Sequence, residues 1–328
     1  MIDRVYGEVR LDDPLVEDII ATAAFQRLHG VDQAGYQQAF TPDYVHTRYE
    51  HSVGAYVLLD RYDAPREEKI SGLLHDLSHT AFSHCTEYAI EHGGDVAKME
   101  LQDDLHVDFV KSTEIAQVLL AHEIDVDYIL DEHNFPLLER PLPALCADRI
   151  DYSLRGGAMT GLLSPEDLQS LLDELTVIDE RWVYRSPGAA RMHAEMFKDL
   201  NDVYWCGTET AVMFYSVGEY LKRTFETGIV GFDEMHATDV EILSKTMPHI
   251  KHDAVLNRYW RRMNNEIPYH NDPHDYEVAI PCKSRAIDPL CVEDDELKPL
   301  SESSGNEDWR TVVAEDSVPK TYYLRFED

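Results

Sequence analysis

The residues best suited to chemistry lie together in Leu73-Leu74-His75-Asp76-Leu77-Ser78-His79-Thr80-Ala81-Phe82-Ser83-His84. An imidazole and a carboxylate side by side among apolar neighbours give a nitrogen and oxygen donor pair. Such donors suit Mn, Fe, Ni, Zn or Mg according to the remaining ligands. A helix over Ile70–Leu77 puts His75 and His79 on one face, so that one can bind a metal while the other faces a bound phosphate. Taken alone, a His-Asp pair more often marks hydrogen-bonded histidines in a helical core, so its meaning depends on the rest of the chain.

Two further donors stand on helices of their own. His51 lies in His46-Thr47-Arg48-Tyr49-Glu50-His51-Ser52-Val53-Gly54, which opens a helix running to about Arg61. Asp148 lies in Asp148-Arg149-Ile150-Asp151-Tyr152, within a helix expected over Ala144–Arg155. Each is set among small or apolar residues, where an unpaired polar group is costly, and a helical bundle can bring such side chains to one interior point.

The elements that must position them are mostly helical. Apolar spacing predicts helices over residues 14–28, about 65–77, 83–92, 106–123, 189–206 and 208–227, with a short one near 239–245. Ser164-Pro165 is an N-terminal helix signature, and residues 176–185 read as a β-hairpin. Gly93-Gly94-Asp95 begins a polar connection. The expected architecture is a mainly α helical bundle over residues 1–267 with a small β-rich region over 268–328. Within that region, residues 293–308 are acidic and Ser-rich and read as a mobile loop.

Composition narrows the function. The chain has 328 residues, 29 basic against 63 acidic, for a net charge of −34. Self-repulsion on that scale is tolerable where salt screens it, so a halophile with an acidic proteome is the expected source. The same charge argues against general nucleic-acid binding. An anionic substrate then needs a locally basic pocket. Five scattered cysteines without CxxC spacing imply neither a disulfide framework nor a cysteine zinc site. No apolar run nears 18 residues and the first residues carry no signal pattern, so a cytoplasmic protein without a membrane partner is expected.

His51, then His75-Asp76, then Asp148, each in its extended context, resembles the HD superfamily of metal-dependent phosphohydrolases. The branch resembled is that of the dNTP triphosphohydrolases, whose N-terminal signature Phe25-Gln26-Arg27-Leu28 and Gln33-Ala34-Gly35 also resemble. Arg285-Ala286-Ile287-Asp288-Pro289 resembles a later landmark more weakly. The resemblance implies that His51, His75, Asp76 and Asp148 hold one divalent ion (Mn, Mg, Fe, Ni, Co or Zn), which activates water for phosphoryl attack. It implies phosphate contacts by Arg48 and Arg149, and histidines near the α-phosphate at His79 and His106. It implies a proton-transferring His84 oriented by Glu87, and sugar contacts by Gln33 and Tyr152. A homo-oligomer is implied as well.

Three departures bear on substrate. Gly156 follows Arg155 where the branch usually has a carboxylate, and Val107 follows His106 where a glutamate is usual. On the triphosphate side Tyr204 keeps its aromatic ring, but Trp205-Cys206-Gly207 replace a polar and basic run. The expected reaction is hydrolysis of a nucleotide phosphoester, first a dNTP to deoxynucleoside and triphosphate. Alternatives are a phosphatase or phosphodiesterase on monophosphates, cyclic nucleotides or other small esters, and a low-turnover nucleotide sensor.

Overall fold

In the computed structural model, which describes residues 1–90 and 101–328, the donor-bearing helices begin where local chemistry directs. Thr47 Oγ1 accepts from the Glu50 amide at 3.2 Å while Glu50 Oε2 accepts from the Thr47 amide at 3.0 Å, starting helix Arg48–Arg61. Helix Ala147–Thr160 ends at Gly161, whose φ of 73° suits glycine. The first of these helices packs against both Arg66–Leu74 and Ala147–Thr160. Gly54 allows the closest approach: a Cβ there would lie 2.1 Å from Asp151 Oδ1 and 2.2 Å from Arg155 Nη2.

The helix leading to the His-Asp pair stops at Leu74, not at the expected Leu77, so His75 and His79 do not share a helical face. Beyond Leu74 the backbone finds other acceptors. Ala81 donates to the Met235 carbonyl and Phe82 to Asp239 Oδ1, each at 2.8 Å. Phe82 and Ser83 take left-handed φ values of 60° and 45°, a local strain held in place by that surrounding network. This stretch also joins two apolar clusters: Leu73, Leu74 and Leu77 belong to one, Ala81, Phe82 and Cys85 to the other.

Several helices differ from the sequence expectation. The expected 106–123 helix is two helices, Leu101–Ser112 and Ile115–Ala121. The 189–206 helix is Pro187–Leu200 followed by a π-helical turn, Asn201–Trp205. The end of the expected 83–92 helix and the Gly93-Gly94-Asp95 connection lie outside the described residues.

The hairpin is present as antiparallel strands Leu175–Ile178 and Arg181–Tyr184. It belongs to a larger sheet, because Arg181–Tyr184 pairs in parallel with Leu290–Glu293, which pairs with Glu296–Pro299. That sheet crosses the expected boundary at 267/268. A second sheet orders Tyr269–Asn271, Lys320–Phe326 and Val278–Cys282.

The segment read as a mobile acidic loop, 293–308, instead carries a hairpin turn, a strand and a short 3-10 helix. Asp294 and Asp295 have φ of 51° and 62°, the two-residue turn that Asp tolerates better than most. Lys298 Nζ meets Glu293 Oε2 at 2.9 Å across it, and Ser301 Oγ donates to Asp288 Oδ2 at 2.6 Å. The composition suggested disorder because turn chemistry and solvation draw on the same residue types.

Candidate functional site

Four carboxylate and imidazole side chains converge between the three helices. His51 Nε2 lies 3.1 Å from His75 Nε2 and 2.9 Å from Asp148 Oδ1; His75 Nε2 lies 3.5 Å from the same oxygen. Asp76 stands 3.6 Å from each imidazole, with Oδ2 toward His51 and Oδ1 toward His75. Arg48 Nη1 donates to its Oδ2 at 2.7 Å, and His79 Nε2 approaches its Oδ1 at 3.3 Å.

The other face of each imidazole fixes which nitrogen carries hydrogen. His51 Nδ1 is 2.7 Å from Asp151 Oδ2, and His75 Nδ1 is 2.8 Å from the Gly72 carbonyl. Both partners are acceptors, so both Nδ1 atoms are donors and both Nε2 lone pairs point into one space. Two lone pairs and two carboxylates facing each other require a cation among them. The set fits a divalent ion bound by nitrogen and oxygen. Burial opposes a charged His75, yet Asp76 and Asp148 raise its pKa to about 10, which shows how strongly the donors favour positive charge.

Asp151 has a positioning role that the sequence reading did not assign. Besides His51 it accepts from Tyr6 Oη at 2.8 Å and Arg155 Nη2 at 2.9 Å, and Arg155 Nη1 reaches Asp3 Oδ2 at 3.0 Å. Burial raises its pKa, but Arg155 and His51 outweigh burial and hold it at about 2. The signal was in the sequence: Asp151 lies three residues after Asp148, on the same side of its helix.

This centre forms one part of a cavity of about 520 Å³. Gln33, Arg48, His75, Asp76, His79, His84, Asp148, Arg149, Tyr152 and Tyr204 all line it. His51 is fully buried behind its metal-facing nitrogen. Glu87 sits behind His84, with Oε1 2.9 Å from Nδ1, and the His84 and His79 rings are 5.0 Å apart. Burial pushes Glu87 up to about 7. Burial and the Arg48 charge both push His84 well below its usual range.

Two expected phosphate contacts are engaged with protein. Arg48 donates to Asp76, to Ser83 Oγ at 3.1 Å and to the Gln33 carbonyl at 2.8 Å. Arg149 donates to the Arg140 and Ala144 carbonyls and pairs with Glu139 Oε1 at 3.1 Å. Glu139, Cys146 and Asp148 also gather donor atoms within 4.8 Å, but the Arg149 cation already sits against Glu139.

His106 lines an adjoining space of about 280 Å³ rather than the main cavity, with its Nδ1 3.2 Å from Ser78 Oγ; the two spaces share His75, Gln102, Asp103, Glu132, His133 and Leu138.

The aromatic wall comes from the π-helical turn. Tyr204 stacks on Tyr44 at 4.5 Å, and Trp205 Nε1 donates to Tyr44 Oη at 2.8 Å while its ring meets Tyr152 edge-on at 5.1 Å. Gly156 is explained by the same wall, since a Cβ there would meet the Tyr44 ring and Leu200 at 3.0–3.1 Å. Lys283 and Arg285 complete the lining. Five cationic side chains and five carboxylates face the cavity, against 29 and 63 in the chain, so it is far more basic than the protein around it.

No family model matches the chain. A metal-dependent phosphohydrolase of Cordyceps militaris is 37% identical over 298 residues, 88% of this chain and 83% of that protein. A Dictyostelium discoideum homologue of the deoxynucleoside triphosphate triphosphohydrolase SAMHD1 is 26% identical over 222 residues, 56% of this chain and 41% of that protein. A phosphohydrolase structure from Bacteroides thetaiotaomicron shares the fold with a TM-score of 0.70 at 18% identity, covering 100% of this chain and 99% of that one. No helix among the described residues is long and apolar enough to cross a membrane. With its donor set intact and a relative matched over most of both chains, this protein belongs to the HD superfamily of metal-dependent phosphohydrolases.

Proposed function

We propose that the protein hydrolyses a nucleotide phosphoester, with a dNTP cleaved to deoxynucleoside and triphosphate as the leading reaction. The observation that carries this reading is the cavity itself. It sets a metal-donor cluster, a histidine-carboxylate pair and an aromatic wall around one space, in a chain whose surface otherwise repels anions.

His51, His75, Asp76 and Asp148 would hold the ion, and the ion would supply Lewis-acid polarisation of a phosphoryl oxygen and an acidified water. The chain's own residues do the rest. Asp151 and the Gly72 carbonyl keep both imidazoles in the ligating tautomer. Arg48 sets Asp76 and leaves a positive charge beside the phosphate position. Glu87, near neutrality in its pKa, shares a proton with His84 Nδ1, so His84 Nε2 can give a proton to the departing sugar oxygen. His79 stands between this pair and Asp76. Tyr152, Tyr204 and Trp205 offer faces and edges to the nucleoside, with Gln33 beside them.

A second reading, hydrolysis of a nucleoside monophosphate or other small ester, is favoured by one observation. Trp205-Cys206-Gly207 bring no charge to the aromatic wall, and Cys206 is buried with its thiol toward the Cys282 carbonyl.

The test uses metal-stripped protein in molar salt, resupplied with Mn, Mg, Co, Ni or Fe and given dNTPs, NTPs, monophosphates and cyclic nucleotides. Triphosphate release from a dNTP is expected, with loss of turnover in His84→Ala at unchanged metal content. Orthophosphate release from monophosphates alone would replace the leading reaction by the second. Stoichiometric metal binding without turnover of any ester would overturn both.

A further inference from the structure

We propose that Asp239 is a positioning residue for proton transfer: its carboxylate holds the strained turn that aims His84 and ties that turn to the segment carrying Gln33. The inference rests on the proton-transferring role proposed for His84 and adds the group that sets its direction.

A helix cap places the residue. Thr238 Oγ1 accepts from the Glu241 amide at 3.3 Å and Glu241 Oε2 accepts from the Thr238 amide at 2.8 Å, so Asp239 opens helix Asp239–Ile250. Its half-buried side chain reaches two other segments. Oδ1 accepts from the Phe82 amide at 2.8 Å, and Oδ2 accepts from the Asp32 amide at 3.0 Å. Close packing makes that reach possible: a Cβ at Gly30 would lie 2.5 Å from Thr238 Cγ2. Both amides need a carboxylate. Ionised, it presents two acceptor oxygens, whereas the amide of asparagine presents one acceptor and one N–H donor. Asparagine at 239 would set that donor against one of the two backbone N–H groups.

The two amides matter for where they stand. Phe82 lies between His79 and His84, and with Ser83 it takes the left-handed φ values of 60° and 45°. Such backbone persists only where its surroundings hold it, and Asp239 holds the strained residue itself. Asp32 precedes Gln33, and its carbonyl accepts from Ser83 Oγ at 2.6 Å. Arg48 closes the ring by donating to Ser83 Oγ and to the Gln33 carbonyl. One carboxylate thus fixes His84 relative to Gln33. His75 is held separately, by the Gly72 carbonyl, and Asp76 by Arg48. In the hydrolysis the water oxygen bonds to phosphorus and gives up a proton. The bond from phosphorus to the leaving oxygen breaks with its electron pair on that oxygen, which takes the proton of His84 Nε2. A misplaced acid therefore slows the departure of basic leaving groups most.

The experiment compares wild type, Asp239→Asn, His84→Ala and the double variant on a dNTP and on two aryl diesters, bis(p-nitrophenyl) phosphate and diphenyl phosphate. Metal affinity is measured by titrating the stripped proteins. p-Nitrophenolate departs without a proton, whereas phenolate and a sugar alkoxide gain from one. Asp239→Asn should bind metal as wild type does and lose about 10–100-fold in kcat on the dNTP and diphenyl phosphate, and much less on the nitrophenyl ester. The double variant should lose no more than His84→Ala, because the two act as one unit. Asp239→Glu keeps both acceptor oxygens on a longer stem and should show a smaller loss with the same dependence on leaving group, which also serves if Asp239→Asn fails to fold. A loss uniform over leaving groups in either Asp239 variant, additive losses in the double variant, weakened metal binding, or an unchanged rate in folded Asp239→Asn would overturn the proposal. A uniform loss in His84→Ala would instead count against the proton-transfer reading beneath it. A wild type that cleaves the aryl diesters but no nucleotide would overturn the nucleotide reading, and the aryl pair would still decide the role of Asp239.

Discussion

The floor of the cavity and its far wall are built in different ways. The floor is three helices held at close range. His51, Asp148 and Asp151 lie within one turn of each other on two helices that touch through Gly54, and His75 hangs from the end of a third. The wall is assembled from a π-helical turn, 201–205, which starts 41 residues after Thr160, and the segment 283–285 beyond strand Val278–Cys282, which starts 123 residues after it. The floor is thus organised by local helix chemistry, whereas the wall depends on one buried amide, Asn201. Of the four donors, His51 and Asp148 sit on helices and His75 and Asp76 directly follow the end of a third, so their spacing is held by rigid elements. Substrate choice, which tolerates variation, sits on irregular backbone.

That contrast is sharpened by perturbing each side. The largest effect is expected for Asp151→Asn, which keeps the shape but weakens the orientation of His51. Metal affinity or activity should fall about 10–100-fold, read by metal titration and by the dNTP assay, and a variant with wild-type affinity would show that Asp151 serves only Arg155. Next comes Gly54→Ala. Forcing a methyl between two packed helices should cost about 1–3 kcal/mol in denaturant melts, with metal affinity lowered in parallel; an undisturbed melt would mean that the helix contact is softer than its geometry.

On the wall, Trp205→Phe removes the bond to Tyr44 and should cost about 1 kcal/mol. It should alter KM while leaving metal affinity unchanged, so a drop in metal content would break the distinction between the two regions.

The smallest effect concerns the junction where Asp32 and Asp239, both half-buried, meet, the Asp32 amide donating to Asp239 Oδ2 at 3.0 Å. Burial first, and the Asp239 charge second, raise Asp32 from 3.8 to about 8. A carboxyl raised in the folded state contributes its stability below its unfolded pKa and loses it as pH rises through the folded value. At fixed salt the melting temperature should therefore decline from about pH 4 to pH 8 on this account. Asp32→Asn should flatten part of the decline, and an identical slope in the variant would assign it to other groups.

Much of the floor was legible in the sequence because its parts are short-range. A cap, a His-Asp pair and an Asp one helix over each carry their own context. Even Asp151, which was not assigned a role, announced itself by its three-residue offset from Asp148. His106 was placed in the site by the resemblance alone, and it lines the space that adjoins the cavity at His75. Residues 293–308 were read as a loop because Asp294-Asp295 look alike in a solvated run and in a two-residue turn.

The sequence by itself determined the donors, their order and the helices that bear them, since these follow from residue type and spacing along one or two turns. It determined the charge that forces an anionic substrate to find a basic enclave. Only the tertiary structure decided where that enclave lies. Lys283 and Arg285 reach the cavity because Asn201, 82 residues before Lys283, buries the serine between them. A hydrogen bond across such a separation leaves no periodic trace in the chain; it exists only once the helices and the strand have packed.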